Sequence, residues 1–276
     1  MIRLIATDVD GTLVPDGTHG INPEYFPTLL ALREMGIQIA AASGRQYDSL
    51  VRLFAPVRDK LFYISNNGAV MSTGSRHLFV RSLPAALQPE LMADLDELAD
   101  CWPVSVGTDG SYYLRGTPGK LVHWLRDEYR CDMIEVEGWE GLPPFVKIAV
   151  YHDPDLGPHP AEVLIDKYRG RLTGVVSGIQ WVDFMACGLS KGRALQDLQE
   201  SLGIRPEETM AFGDQMNDLT MLARASYSIA VGSARPEVRA AAVYTAAPLS
   251  EDGVLQVLKS LVARGGEFSP PHMDAD

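Results

Sequence analysis

Asp8 and Asp10 stand one residue apart, followed by Gly11 and Thr12 and preceded by a short apolar run in which Ile2, Leu4, Ile5 and Ala6 suit a buried strand. Two carboxylates so spaced at a strand end cannot both face the core. Gly11 lets the backbone turn sharply there, and Thr12 can hydrogen-bond the turn. Such a place can hold a divalent cation and run acid–base chemistry. An ordinary surface turn is the plainer account of Asp-x-Asp-Gly. The pattern argues against a calcium loop, because that motif wants a third acid or amide before its Gly, the Gly at the sixth position and flanking helices, whereas here the Gly comes fourth after a strand.

Three more polar stations follow in the chain: Ser43-Gly44-Arg45, Lys191, and Gly213-Asp214 with Asn217 and Asp218. Each has a bland reading. Ser43 can be a helix cap, Lys191 a solvated lysine, and Asp214 or Asn217 a cap, though capping does not require three acidic or amide groups together. Lys191 is the least comfortable of these, since a cation in the first turn opposes the helix dipole.

The elements around the stations repeat a pattern. Asn22-Pro23 reads as a helix start, Phe26, Leu29, Leu30 and Leu32 as its apolar face, and Gly36 as its stop. The spacing predicts strands over Ile37–Ala42 and Leu61–Ile64, with a helix over Tyr47–Phe54 between them. Ser190 caps a predicted helix through Leu202, ended by Gly203; strands Thr209–Phe212 and Ser228–Val231 and a helix over Val254–Val262 complete the set. Strand–helix alternation implies a parallel sheet, whose carboxyl-end loops bind ligands. From about Ser82 to Met185 the alternation is less regular. Helices are predicted over Leu87–Ala99 and Leu121–Tyr129, and strands over Ser111–Leu114, Val146–Tyr151, Leu172–Val176 and Ile179–Phe184. This reads as a second α/β domain inserted into the first.

The chain has 276 residues, 46% of them hydrophobic, with a formal net charge of −12. That balance argues against nucleic acid as the main partner but allows a small phosphorylated ligand in a locally cationic or metal-loaded cleft. Cys101, Cys131 and Cys187 are scattered and odd in number, as suits free thiols in the cytoplasm. No signal peptide, membrane span, repeat or low-complexity block is expected, and the residues from Gly265 read as a disordered tail.

The four stations in this order resemble the motifs of the haloacid dehalogenase superfamily of phosphohydrolases. About 30 residues separate the first two stations and nearly 150 separate Ser43 from Lys191. That spacing, with Asn66-Asn67-Gly68-Ala69 and Ser190-Lys191-Gly192, resembles the Cof-type branch, which carries a large α/β cap between the second and third motifs. The expectation is a doubly wound, Rossmann-like parallel-sheet core from residues 1–82 and 186–264, a specificity-setting cap over 83–185, and a tail over 265–276. Two segments depart from the branch, Val231-Gly232-Ser233-Ala234 and Ala186-Cys187-Gly188, and no substrate contact is carried over onto them.

The resemblance implies a Mg²⁺-dependent hydrolase of small phosphate monoesters that passes through an aspartyl-phosphate. Asp8 would be the nucleophile and Asp10 the acid–base. Asp8, Asp214 and the backbone carbonyl of Asp10 would hold the ion, with Asp218 behind them. Thr12, Ser43, Gly44, Lys191 and Asn217 would meet the phosphate or substrate, Asn217 and Asp218 also orienting Lys191. Arg115, His123, Lys147 and Trp181 are the cap candidates. Sugar phosphates are the first expectation, and phosphorylated cofactors such as pyridoxal phosphate or flavin mononucleotide the second. A sugar phosphomutase and a non-catalytic phosphometabolite-binding regulator are the rivals.

Overall fold

The computed structural model describes every residue except Gly17, His19, Gly178, Ile179 and 271–276. The chain forms two compact units, Met1–Leu78 with Ser190–Asp276, and Phe79–Leu189. In chain order the strands are β1 (Leu4–Thr7), β2 (Gln38–Ala42), β3 (Phe62–Ser65), β4 (Val70–Thr73), β5 (His77–Val80), β6 (Cys101–Val106) and β7 (Ser111–Leu114). They continue with β8 (Met133–Val136), β9 (Lys147–His152), β10 (Leu172–Val176), β11 (Trp181–Ala186), β12 (Thr209–Gly213), β13 (Tyr227–Val231) and β14 (Tyr244–Ala246).

Among the described residues the first unit holds strands in the order β14-β13-β12-β1-β2-β3-β4, and β5, whose residues straddle the boundary at Leu78, follows β4 in that sheet. β14 through β3 run parallel, and β4 pairs antiparallel to β3. Leu4, Ile5 and Ala6 of β1, Ala40 to Ala42 of β2 and Met210 to Phe212 of β12 are wholly buried. Strands covered on both faces must be continuously apolar, which is why they were readable as such. The order reverses between β1 and β12, making that gap the topological switch point where open sheets bind ligands. Register makes the placement specific. Thr7 lies beside Phe212 on one side and Ala41 on the other, so Asp8, Asp214 and Ser43 all lie just beyond the same sheet edge.

The helix Lys191–Leu202 starts where expected. Ser190 Oγ accepts from the Arg193 N–H, and Gly203 ends the helix in the left-handed region. The first helix differs slightly, spanning Tyr25–Glu34. Asn22 does not cap it directly. Its Oδ1 accepts from the Glu24 N–H at 3.0 Å, a side-chain turn that precedes the helix, while its Nδ2 donates to Asp252.

The second unit holds a sheet of order β10-β11-β9-β6-β7-β8. Ile148, Val150, Val182 and Phe184 pack on one face with Leu91, Leu95, Leu164 and Tyr168. Val104 and Tyr151 pack on the other with Leu121 and Leu125. β6 is interior and was not expected, because Pro103 lies within it and Pro argues against a central strand. It is tolerated because β7 pairs only from Val104 onward, so Pro103 stands where β6 has a partner on one side. The predicted strand at 179–184 is β11 from Trp181; Ile179 lies outside the described residues.

Disorder from Gly265 is corrected over the first tail residues. The Gly266 N–H donates to the Leu261 carbonyl at 2.9 Å. Phe268 packs edge-on against Tyr227 and Tyr244, 5.2 and 5.1 Å between ring centroids. Residues 271–276 lie outside the described residues. Cys101 and Cys131 are buried, Cys187 is exposed, and no disulfide joins them. No helix among the described residues is long and apolar enough to cross a membrane.

Candidate active site

The turn after β1 is locked to the turn after β12. Gly11 has φ +78° and its N–H donates to the Val14 carbonyl at 2.8 Å. A Cβ at Gly11 would lie 2.3 Å from Asp214 Oδ2, so only glycine lets the two loops come this close. Thr12 Oγ1 donates to Asp214 Oδ1 at 2.6 Å and the Asp8 N–H donates to the Phe212 carbonyl at 2.9 Å. Thr12, expected on the phosphate, has its hydroxyl on Asp214 in this structure.

Lys191 enters from the helix start. Gly192 seats that helix, since a Cβ there would lie 2.0 Å from the Thr220 carbonyl oxygen. The Lys191 ammonium donates to Asp8 Oδ1 at 2.5 Å and to Asp218 Oδ1 at 2.6 Å, all three side chains being at most 5% exposed. Asp218 Oδ2 accepts from the N–H groups of Asp214 at 3.0 Å and Gln215 at 2.9 Å. Both Asp218 oxygens are therefore engaged in holding neighbours.

The charges do not balance locally. Burial raises the Asp8 carboxyl well above its ordinary range; Asp218 and Asp214 add to this and Lys191 opposes it. Asp214 is also raised by burial, against the Thr12 hydrogen bond. Burial alone would lower Lys191, but Asp218 and Asp8 outweigh it and hold the ammonium charged. Among the described residues Asp8, Asp214 and Asp218 form one group able to hold a metal, with one oxygen from each within 4.8 Å of the others. Three buried carboxylates against one ammonium leave excess negative charge, and the donors are all hard oxygens. That set fits a hard divalent cation.

Asp10 points elsewhere. Arg45 donates to it through Nε at 2.8 Å and Nη2 at 2.6 Å, one donor to each carboxylate oxygen. Ser43 Oγ lies 3.4 Å from Asp10 Oδ2 and accepts from the Arg45 N–H at 3.0 Å. A Cβ at Gly44 would lie 3.4 Å from Asn67 Oδ1, and Asn67 Oδ1 accepts from Asn217 Nδ2 at 3.0 Å. Asn66 and Asn67 are buried and adopt positive φ, 49° and 53°, tying the loop after β3 to the Ser43–Arg45 loop through the hydrogen bonds of their N–H groups.

All nine residues expected at the core site lie in the first unit, at the strand edge or helix start described. Arg45 and Asn67 were quoted in motifs but given no role. The signal available for Arg45 was a cation two residues from Ser43, able to reach an acid. The cap candidates lie in the second unit. Lys147 is buried and pairs with Asp183 at 3.2 Å. Arg115 pairs with Glu135 and Glu137, and exposed His123 lies 3.8 Å from Asp127. Trp181 packs against Trp124 and Tyr151.

A family model for haloacid dehalogenase-like hydrolases matches residues 5–258. The chain is 25% identical over 268 residues to a 5-amino-6-(5-phospho-D-ribitylamino)uracil phosphatase of Escherichia coli (strain K12), covering 97% of this chain and 98% of that one. It is 28% identical over 253 residues to an HMP-PP phosphatase of Serratia proteamaculans (strain 568), covering 87% of each. Among solved structures, one from Eubacterium rectale has 37% identity and a TM-score of 0.84, with 94% of this chain and 99% of that one covered. SMU.1108c from Streptococcus mutans UA159 has 28% identity and a TM-score of 0.86, covering 95% and 100%. The doubly wound sheet, its switch-point carboxylates and the near-complete span of these matches agree: the chain belongs to the haloacid dehalogenase-like hydrolases, in their Cof-type branch.

Proposed function

We propose that this phosphatase hydrolyses a monoester of a small phosphorylated metabolite by way of a phosphoaspartate on Asp8. The observation that carries the reading is the seating of Asp8 at the switch point with Oδ1 held 2.5 Å from the Lys191 ammonium. Lys191 fixes the rotation of the carboxylate and makes Oδ2 the attacking oxygen. In the first step Asp8 Oδ2 bonds to phosphorus, the bond from phosphorus to the ester oxygen breaks, and the departing oxygen takes the proton from Asp10. In the second step Asp10, now a carboxylate, takes a proton from a water whose oxygen bonds to phosphorus. The bond to Asp8 breaks, inorganic phosphate leaves, and both aspartates are restored.

Lys191, Ser43, the Gly44 N–H and Asn217 are the groups offered to the charge that spreads over the phosphoryl oxygens. Asp8, Asp214 and the backbone carbonyl of Asp10 would hold Mg²⁺, with Asp218 orienting Lys191 and the Asp214 backbone. When bound, the ion offsets the repulsion between Asp8 and a phosphate dianion. The inserted unit selects the substrate. The named Escherichia coli relative acts on a phosphate carried by a ribityl chain. A sugar or sugar-alcohol phosphate is accordingly the substrate class we assign.

The test separates the two aspartates. Asp8→Asn abolishes turnover, an amide being a poor nucleophile. Asp10→Asn with p-nitrophenyl phosphate gives a burst of about one phenolate per site and then slow release, because the phenolate leaves unaided while hydrolysis lacks its base. Mass measurement places the phosphoryl group on Asp8. Absence of any trapped phosphoryl group on Asp8 would overturn the reading.

A further inference from the structure

Arg45 has a feature the four motif roles do not use: its charge is turned inward onto Asp10. The side chain is 2% exposed, and Asp10 is 18% exposed. Nε and Nη2 take one carboxylate oxygen each, at 2.8 and 2.6 Å. This fork-on-carboxylate geometry sets both the position and the plane of the acid, which a single hydrogen bond cannot do. Nη2 also donates to the Thr18 carbonyl.

Arg45 is itself anchored at both backbone ends. Its N–H donates to Ser43 Oγ at 3.0 Å, and its carbonyl accepts from the Asn66 N–H at 2.9 Å. The Asp10 loop returns on itself: Asp10 bridges Val14, and Thr18 donates to the Pro15 carbonyl through N at 3.1 Å and Oγ1 at 2.8 Å. One guanidinium thus joins the side chain of Asp10, the far end of the Asp10 loop and the loop after β2. A phosphate-binding arginine would need its fork directed outward. Here both of its named donors face the acid.

We infer that Arg45 is a positioning residue that acts through Asp10, holding its carboxyl group in the one orientation from which the protonated acid hands its proton to the leaving oxygen and the resulting carboxylate takes one from water. This rests on the acid–base reading of Asp10. Arg45 forms and breaks no covalent bond. Its loss leaves the attack of Asp8 intact and lets the Asp10 carboxyl swing, and misplacement by about 1 Å can cost on the order of 10²-fold in the step that depends on it.

The experiment is rapid-quench kinetics with p-nitrophenyl phosphate and Mg²⁺ on the full chain, comparing wild type, Arg45→Gln, Arg45→Lys, Asp10→Asn and Asp10→Asn/Arg45→Gln. Arg45→Gln is expected to slow hydrolysis of phospho-Asp8 by roughly 10- to 100-fold while changing its formation less than about threefold, giving a phenolate burst. Arg45→Lys keeps the buried charge but cannot grip both oxygens, and its hydrolysis rate falls between wild type and Arg45→Gln. In the Asp10→Asn background Arg45→Gln adds less than about twofold, because both changes remove one function.

A phosphate-binding or merely structural role for Arg45 gives a different pattern. Both steps then slow together, KM rises alone, or the two substitutions multiply; any of these overturns the inference. If Asp10→Asn itself shows no burst, the acid–base reading of Asp10 fails instead, whatever Arg45→Gln does.

Discussion

The Nζ of Lys191 lies 2.6 Å from Oδ1 of Asp218, with side-chain exposures of 1% and 0%, and the same ammonium reaches Asp8. This explains a cation in the first turn of a helix, where the dipole disfavours it: two buried carboxylates outweigh the dipole. It also makes Lys191 the counter-charge on which the cluster depends. Lys191→Met is expected to lower kcat/KM by on the order of 10²–10³. It should also destabilise the fold by about 3–5 kcal/mol, since buried carboxylates lose their partner. Steady-state kinetics and urea unfolding measure both, and an activity loss below about threefold would leave Lys191 a structural counter-charge with no part in the reaction.

Asp214 faces the same excess of negative charge. Exhaustive chelation should remove activity and Mg²⁺ restore it, while Ca²⁺ should inhibit through its larger and looser ligand shell. Ligand-linked stabilisation supplies a readout independent of turnover: Mg²⁺ at about 100 times its Kd should add roughly 2.7 kcal/mol to unfolding free energy, and Asp214→Asn should lose most of that gain. Full turnover after chelation would refute the metal assignment.

Gly11 holds the two carboxylate loops together. Gly11→Ala places a methyl 2.3 Å from Asp214 Oδ2 at φ +78°. The left-handed backbone alone costs roughly 1–2 kcal/mol, and the clash must move Asp214 as well. The expected result is a lower unfolding midpoint together with a higher Mg²⁺ concentration for half-maximal activity. An unchanged midpoint and Mg²⁺ requirement would show that the loops are not coupled through this contact.

The inserted unit should lose stability on acidification. His159 is buried, its Nε2 lies 3.0 Å from the Val150 carbonyl, and its Nδ1 accepts from the Ala161 N–H at 3.2 Å. Burial lowers its pKa below 6.5, and His152 nearby adds to the effect while the Val150 hydrogen bond opposes it. The unfolded chain therefore binds the proton more readily than the folded one. The stability due to neutral His159 is fully present above about pH 6.5 and is lost as pH falls toward the lower folded value. Unfolding followed from about pH 7.5 to 5 should show this slope in wild type and a flatter one in His159→Gln. An equal slope in the two proteins would remove His159 as the cause.

Excision of the inserted unit checks the division of labour. With residues 84–182 replaced by a short linker, turnover of a sugar phosphate should fall far more than that of p-nitrophenyl phosphate, because the four motifs fall outside those residues. A truncated protein that folds and keeps the original substrate ranking would place selection in the core.

Local chemistry made part of this protein legible from its residues alone. The runs 4–6, 39–42, 62–64 and 210–212 in β1, β2, β3 and β12 are apolar because the strands of a parallel sheet are covered on both faces, and Ser190 and Gly203 mark helix ends by the hydrogen bond and backbone angle each residue type allows. The stations Asp8, Ser43 and Asp214 stand out as polar groups that follow apolar strands, and Lys191 as a cation in the first turn of a helix. β6 escaped notice because Pro103 is tolerated only through a pairing boundary with β7, a fact of sheet register. Phe268 was read as tail because its partners, Tyr227 and Tyr244, lie on two other strands.

The amino-acid sequence by itself determined the element types, the alternation that makes a parallel sheet, and which residues could do chemistry, since propensity, periodicity and side-chain type are properties of short stretches. Tertiary structure decided the partnerships. Asp10 faces Arg45 across 35 residues of chain, Thr12 faces Asp214 across 202, and Lys191 lies between Asp8 and Asp218. No local spacing encodes those distances. They follow from the strand order that reverses between β1 and β12 and from the glycine contacts that let the loops meet, and both exist only once the sheet has formed.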